Sequence, residues 1–125
     1  MRGQKLFVRP IESGDAETVR KFLSTHAERN AVPACGLIGK LLGELVAVMA
    51  IDFAESNGVR VDDLIVVPEL RRKRIGRVMM SELETLAAKM ERDWLIADPA
   101  GGAREFLRSI GFVDEGSRMV RRVCR

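Results

Sequence analysis

The sequence predicts a single α/β domain over residues 1–125, with a central mixed and mostly antiparallel sheet flanked by about three helices. Three observations support this fold class. Along the chain, the spacing of apolar residues alternates between the two-residue period of strands and the 3.6-residue period of helices. The pair Asn57-Gly58 is a strong hairpin signal between two apolar runs. Pro68 closes an apolar run, and a basic loop and a helical pattern follow it, so strands and helices alternate as in a helix-covered sheet.

The N-terminal segment predicts a strand followed by a helix. Residues 6–9 alternate apolar and polar side chains, and Pro10 ends that pattern. Ser13 is a candidate N-terminal cap for a helix over residues 14–28. That helix has an apolar stripe at helical spacing, formed by Ala16, Val19, Phe22, Leu23 and Ala27.

The middle of the chain predicts an antiparallel meander of three strands. Residues 35–42 and 45–53 are apolar runs around a turn at Gly43. The Asn57-Gly58 pair joins the second run to a strand over residues 59–67.

The C-terminal half predicts two more helices and three short strands. The helix after the basic loop extends to about Arg92, and residues 94–97 form a buried strand. Residues 100–110 have helical spacing and end at Gly111, a typical helix stop. Residues 112–114 and 118–123 are a final pair of strands.

Five basic residues crowd the start of the middle helix, namely Arg71, Arg72, Lys73, Arg74 and Arg77. Free backbone N–H groups and the positive end of the helix dipole favour anions at such a position. Gly76 has no side chain to block the approach of a ligand to the backbone. The segment therefore predicts a phosphate site, although such charge can also form a solvated loop, a targeting segment or a nucleic-acid patch.

Residues 66–77, V-V-P-E-L-R-R-K-R-I-G-R, resemble the coenzyme A signature of the GNAT family of N-acetyltransferases. Arg71 and Gly76 match the first and last positions of its R/Q-x-x-G-x-G/A form, and Arg74 replaces the first glycine. The resemblance implies an acetyltransferase-like fold, acetyl-CoA as cosubstrate and no metal. It implies these CoA-binding residues: Val66, Val67, Arg71, Arg72, Lys73, Arg74, Ile75, Gly76 and Arg77.

Residues 100–112, A-G-G-A-R-E-F-L-R-S-I-G-F, are similar to the family segment N-x-x-A-x-x-F-Y-x-x-x-G-F. Ala100 replaces the asparagine that helps to hold the pantetheine arm, and Leu107 replaces the tyrosine that protonates the departing thiolate. The whole chain contains no tyrosine. The family usually has two helices between its first and second strands, whereas here only residues 29–34 lie between the first predicted helix and the second strand. The resemblance thus implies an open acceptor cleft, or one completed by another subunit.

The string D-D-L-I-V-V-P-E, residues 62–69, is similar to the E-D-L-x-V-x-P-E form of acetyltransferases that act on amines. By that resemblance Asp62 draws the proton from the acceptor amine and Asp63 helps to bind it. Since successive strand residues point to opposite faces, we expect at most one of them in a given cleft. The alternative is a pair of solvated carboxylates. Water or Ser109 would supply the proton that the missing tyrosine gives elsewhere in the family.

The leading functional hypothesis is an acetyl-CoA-dependent N-acetyltransferase that acts on the primary amine of a small molecule or peptide by direct attack. The second is a catalytically weak CoA-sensing regulatory module of the same fold. Nucleic-acid binding is disfavoured because the aromatic residues, one Trp and five Phe, mostly lie at core-like positions. A homodimer or a partner enzyme is left open.

The composition predicts a cytoplasmic protein with no membrane partner. No uninterrupted apolar run approaches the length of a membrane span, and residues 1–9 lack the apolar core of a signal peptide. Cys35 and Cys124 are too few for a disulfide framework, and neither has His26 at a metal-binding spacing. We expect Cys35 to be a buried strand residue rather than a nucleophile.

Overall fold

A seven-stranded sheet runs through the computed structural model, which describes residues 6–28, 31–70, 74–99 and 103–124. The strands are β1 (Phe7–Pro10), β2 (Gly36–Leu41), β3 (Glu44–Asp52), β4 (Gly58–Val66), β5 (Trp94–Ala97), β6 (Val113–Glu115) and β7 (Arg118–Arg122). Their order in the sheet is β1-β2-β3-β4-β5-β7-β6, and every neighbouring pair is antiparallel except β4 with β5.

Three α-helices complete the described part of the chain: α1 (Ala16–Ala27), α2 (Ile75–Lys89) and α3 (Ala103–Ser109). The predicted α/β class, with a mixed and mostly antiparallel sheet and three helices, is confirmed. Between α1 and β2 the described residues form no second helix.

The predicted meander β2–β3–β4 is confirmed, and its two turns use different residues for their left-handed positions. Leu42 and Gly43 have φ values of 53° and 81°, as a two-residue hairpin turn requires. In the second turn Asn57 takes the left-handed conformation, with φ 61°, and Gly58 is already the first residue of β4. A Cβ at Gly58 would lie 2.6 Å from Ile96 Cδ1. Close contact with the neighbouring strand therefore explains this glycine better than the turn does.

The sheet separates two apolar clusters. The larger lies beneath α2 and α3, and its fully buried members include Met49, Ile75, Met79, Leu83, Leu95 and Met119. The smaller joins Val19, Phe22 and Leu23 of α1 to Ile38 and Val48 of the sheet. Helix α1 packs against β3 and β4, so it covers the middle of its face of the sheet.

Three local predictions are wrong. Ser13 does not cap α1: it lies in a short 3-10 turn, where the Asp15 carboxylate accepts a 2.8 Å hydrogen bond from the Glu12 backbone N–H. Cys35 is exposed, because β2 begins one residue later. Helix α2 ends at Lys89 rather than near Arg92, because Glu91 adopts a left-handed conformation with φ 57° that stops the helix.

Candidate active site

Strands β4 and β5 are paired along only part of β4. Their parallel pairing runs from Gly58 with Trp94 to Val61 with Ala97. Beyond it, no strand among the described residues pairs with Leu64, Ile65 and Val66 of β4 on that side. The Val67 N–H donates to the Val46 carbonyl on β3 at 3.0 Å. Because backbone groups of a strand alternate in direction, the Val66 N–H faces the open edge, where its polar backbone can bind a ligand.

A β-bulge interrupts β4 at the beginning of this open edge. Ala50 pairs with Asp63 and Ile51 pairs with Val61, so Asp62 is the extra residue of the bulge. Asp62 and Asp63 both line a cavity of about 250 Å³ between β4, the end of β5 and α3. The expectation that at most one of them faces a given cleft is therefore wrong, since the bulge breaks the alternation of side chains.

The two carboxylates have different surroundings. Asp62 Oδ1 accepts a 2.8 Å hydrogen bond from Arg60 Nε, and its side chain is 42% exposed. Asp63 is half-buried, and its Oδ1 accepts a 2.9 Å hydrogen bond from the Leu64 backbone N–H. The hydrogen bond to Asp62 raises the pKa of the Arg60 guanidinium, with further contributions from the charges of Asp52 and Asp98. The cavity is therefore lined by carboxylates, and the Arg60 guanidinium, which does not line it, contacts one of them, Asp62.

A second cavity, of about 310 Å³, lies at the N-terminus of α2. It brings together five of the predicted CoA-binding residues with two apolar ones, namely Val66, Arg74, Ile75, Gly76 and Arg77 with Leu70 and Phe106. No side chain caps the start of α2 among the described residues, and the first intrahelical bond runs from the Val78 N–H to the Arg74 carbonyl at 3.1 Å. The backbone N–H groups of the first turn are thus available to an anion.

Arg74 has a left-handed backbone, with φ 66°, at the position where the family signature has its first glycine. The arginine adopts the conformation that a glycine would favour, and its exposed side chain borders the cavity. The departure from the signature therefore preserves the shape of the loop at this residue and adds a positive charge.

Gly76 lies where α2, α3 and β4 meet. A Cβ at this position would lie 3.0 Å from Phe106 Cζ and 3.6 Å from Leu64 Cδ2. The glycine therefore permits close packing as well as access to the helix N-terminus. Ile75 is buried in the core, so only its backbone can face a ligand.

Two predicted site residues, Val67 and Ser109, line neither cavity. Val67 packs against the α1 cluster, and its N–H is used by β3. Ser109 is exposed, its hydroxyl donates to the Phe106 carbonyl at 2.6 Å, and it lines neither cavity. Arg71, Arg72, Lys73 and Ala100 lie outside the described residues. Leu107, at the family's tyrosine position, is buried and lines the aspartate cavity.

The sequence analysis missed Arg60 and Asp98. A signal for Arg60 exists in the sequence, because residues two apart on a strand share a face and Arg60 precedes Asp62 by two. Asp98 follows the last residue of β5 and reaches the same cavity only through the parallel pairing of β4 with β5.

The fold and its two cavities define an α/β domain with a candidate ligand site at an open strand edge and a helix N-terminus. The sequence profile of the acetyltransferase (GNAT) family matches residues 5–112, and the chain belongs to this family. No curated protein sequence matches it significantly.

Solved structures with this fold include Ard1 from Thermoplasma volcanium, with 16% identity, 96% of this chain and 99% of that chain covered, and a TM-score of 0.77. The ribosomal-protein-S18-alanine N-acetyltransferase from Escherichia coli has 12% identity, coverages of 97% and 96%, and a TM-score of 0.78. The PaiA N-acetyltransferase from Thermoplasma acidophilum, in complex with coenzyme A, has 15% identity, coverages of 94% and 99%, and a TM-score of 0.73. At these identities the similarity shows the fold.

Among the described residues, no helix combines the length and the apolar character needed to cross a membrane.

Proposed function

We propose that the protein is an acetyl-CoA-dependent N-acetyltransferase that transfers an acetyl group to a primary amine by direct attack. One observation carries the proposal: Phe106 borders both cavities, so the helix N-terminus and the two aspartates belong to adjoining parts of one cleft. A ligand with its phosphates at α2 would have its far end near Asp62 and Asp63. We also propose that residues 1–125 form a single acyl-CoA-binding domain. We propose that it acts in the cytoplasm.

The residues at α2 suit the phosphates of CoA. The N–H groups of Ile75, Gly76 and Arg77 would hold the pyrophosphate, and Arg74 and Arg77 would supply charge. Arg71, Arg72 and Lys73 are proposed for the same role from the family signature alone. The open edge near Val66 would bind the amides of the pantetheine arm, as an added strand would. Val67 would support this edge by its packing against α1.

The residues near the bulge suit the acceptor. An amine with a pKa of ~10.4 is almost entirely protonated near neutral pH, so a carboxylate must first attract the cation and then accept its proton in a drier site. Asp62 and Asp63 are proposed for these roles. The Val66 N–H would polarise the thioester carbonyl. The thiol of CoA has a pKa of ~8.5, so its thiolate is a good enough leaving group near neutral pH. The thiolate would then take a proton from water, or from Ser109 if the C-terminal end of α3 moves towards the cleft.

Replacing each aspartate by asparagine removes the charge and keeps the shape. We expect Asp62→Asn and Asp63→Asn to lower kcat by about 10²-fold, because a general base contributes 10²- to 10⁴-fold. The affinity for CoA, measured by calorimetry, should stay the same. Ser109→Ala is the control and should change kcat less. Full turnover by the double aspartate variant would contradict the assignment.

A CoA-sensing regulatory module is the second candidate. The observation that favours it is the buried Leu107 at the tyrosine position, in a chain without any tyrosine. Such a module would bind CoA without releasing thiol.

The test has two stages. Thermal shift with acetyl-CoA, CoA and ATP should show stabilisation by the two CoA compounds. A thiol-release assay with an amine panel should then show turnover, and the panel should include peptide N-termini because one solved neighbour is a ribosomal-protein-alanine N-acetyltransferase. Binding without release from any amine would favour the regulatory module. No stabilisation by either CoA compound would contradict both candidates.

A further inference from the structure

Arg60 connects two carboxylates at the start of the open edge. It lies two residues before Asp62 on β4, and its Nε donates to Asp62 Oδ1 at 2.8 Å. Its Nη2 lies 3.5 Å from Oδ2 of Asp52, the residue that pairs with it across β3. The charge of Asp98, a residue of the aspartate cavity, also acts on the guanidinium. Arg60 therefore contacts both Asp52, in the regular pairing of β3 with β4, and Asp62, which lines the cavity.

Asp62 needs such a contact because it is the bulged residue. It has no opposite partner on β3, and its side chain is 42% exposed. A short side chain in this position can change rotamer, and lost orientation at a reacting centre costs rate steeply. The Arg60 guanidinium is planar and holds a carboxylate in a fixed direction. Asp52, in the ladder, holds Arg60 from the other side.

We propose that Arg60 is a positioning residue of the acceptor site, which fixes the bulged Asp62 by its Oδ1 and leaves Oδ2 for the acceptor amine. In the part of the chain that the structure describes, Oδ2 accepts no hydrogen bond. This inference rests on the proposed acetyl transfer. It assigns Arg60 an effect on the rate that a purely structural ion pair would not have.

Arg118 offers a matched control. It also bridges two carboxylates, those of Glu115 and Glu55, at 3.0 Å and 3.2 Å. Its side chain is 37% exposed, compared with 34% for Arg60. Neither arginine lines the two cavities of the candidate site, but Arg60 bonds to a lining residue, Asp62, whereas Glu55 and Glu115 line neither cavity. Arg60→Met and Arg118→Met therefore remove similar ion pairs, one beside the acceptor cavity and one away from it.

The experiment compares kcat and both KM values of wild type, Arg60→Met, Arg60→Lys and Arg118→Met with the best amine of the panel. We expect Arg60→Met to lower kcat by about 10- to 100-fold, with the KM for acetyl-CoA unchanged. Arg60→Lys should recover part of the loss, because an ammonium can still pair with Asp62. Arg118→Met should leave kcat unchanged.

A double-mutant cycle shows whether Arg60 acts through Asp62. In the Asp62→Asn background, Arg60→Met should change kcat less than about twofold, since the carboxylate that Arg60 positions has already been removed. Three outcomes would each overturn the inference while leaving acetyl transfer intact. They are an unchanged kcat in folded Arg60→Met, an equal fall of kcat in Arg118→Met, and additive losses of kcat in the cycle. If Arg60→Met does not fold, Asp52→Asn replaces it in the cycle, with a smaller loss expected. Wild type without turnover on any amine would overturn the proposed transfer, and this inference with it.

Discussion

Arg74 adopts a glycine-like, left-handed backbone conformation at the start of α2, which lowers the stability of the folded protein. A left-handed conformation costs a residue with a Cβ about 1 kcal/mol. We expect Arg74→Gly to raise the free energy of unfolding by up to about 1 kcal/mol, measured by urea denaturation, and to weaken CoA binding by removing one cation. Arg74→Lys is the control that keeps both strain and charge. Tighter CoA binding by Arg74→Gly would mean that the arginine crowds the phosphates.

Gly76 is tested by adding side-chain atoms in two steps. Gly76→Ala places a Cβ 3.0 Å from Phe106 Cζ, so the ring must move by a few tenths of an ångström. Gly76→Val adds a branched side chain at the same cavity. We expect both variants to fold and the dissociation constant for CoA to rise, by about tenfold for valine and less for alanine, as each side chain blocks the helix N-terminus. Undiminished affinity in folded Gly76→Val would show that the glycine serves packing alone.

At the scale of elements, Arg92 joins the end of α2 to the loop between β3 and β4. Its Nη1 donates to the carbonyls of Glu55, Gly58 and Phe53 at 2.8, 2.9 and 3.3 Å. Its guanidinium also lies over the Phe53 ring, 5.6 Å from the centroid. This one side chain therefore satisfies three carbonyls between Phe53 and Gly58.

We expect Arg92→Ala to lower the free energy of unfolding by about 2 to 3 kcal/mol, because hydrogen bonds to a charged donor are lost and half-buried carbonyls lose their partner. Urea denaturation measures the change. Arg20 on α1, which forms an exposed i,i+3 pair with Glu17, is the control, and Arg20→Ala should change stability by less than about 1 kcal/mol. Equal effects of the two variants would contradict the linking role of Arg92.

At the scale of the whole molecule, an ion pair near each edge of the sheet contributes to the response to acid. The hydrogen bond from Arg9 holds the pKa of Asp15 well below its usual range. The hydrogen bond from Arg108, with help from Arg104, lowers the pKa of Asp114. A carboxylate whose pKa is lower in the folded state stabilises the fold above its unfolded pKa of ~3.9. That stability disappears as the pH falls through the folded pKa.

We therefore expect the urea midpoint to fall as the pH is lowered below about 4, and to fall less steeply in Asp15→Asn. Measurements between pH 7 and pH 2.5, with Glu17→Gln as a control on an exposed carboxylate, test this. A midpoint in Asp15→Asn that depends on pH as strongly as that of wild type would show that other groups cause the acid sensitivity. High salt should weaken the effect, since the arginine of each pair is exposed to solvent.

The sequence by itself determined the succession of strands and helices, the meander and the basic start of α2. These features follow from local patterns: apolar periodicity, a proline, and glycine or asparagine at turns. The family signature also rests on local residues, and three of its predicted CoA-binding positions, Val66, Arg74 and Gly76, line one cavity.

Tertiary structure alone decided which residues meet. The bulge at Asp62 arises from a one-residue difference in register between β3 and β4, which depends on the pairing of whole strands and not on the residues near it. The end of the pairing between β4 and β5 then leaves the edge open, and Phe106 from α3 closes both cavities. Local patterns predict which face of a single element a side chain lies on, whereas these contacts depend on the relative positions of three elements. For that reason the sequence singled out Asp62 and Asp63 but not the bulge that brings both to one cavity.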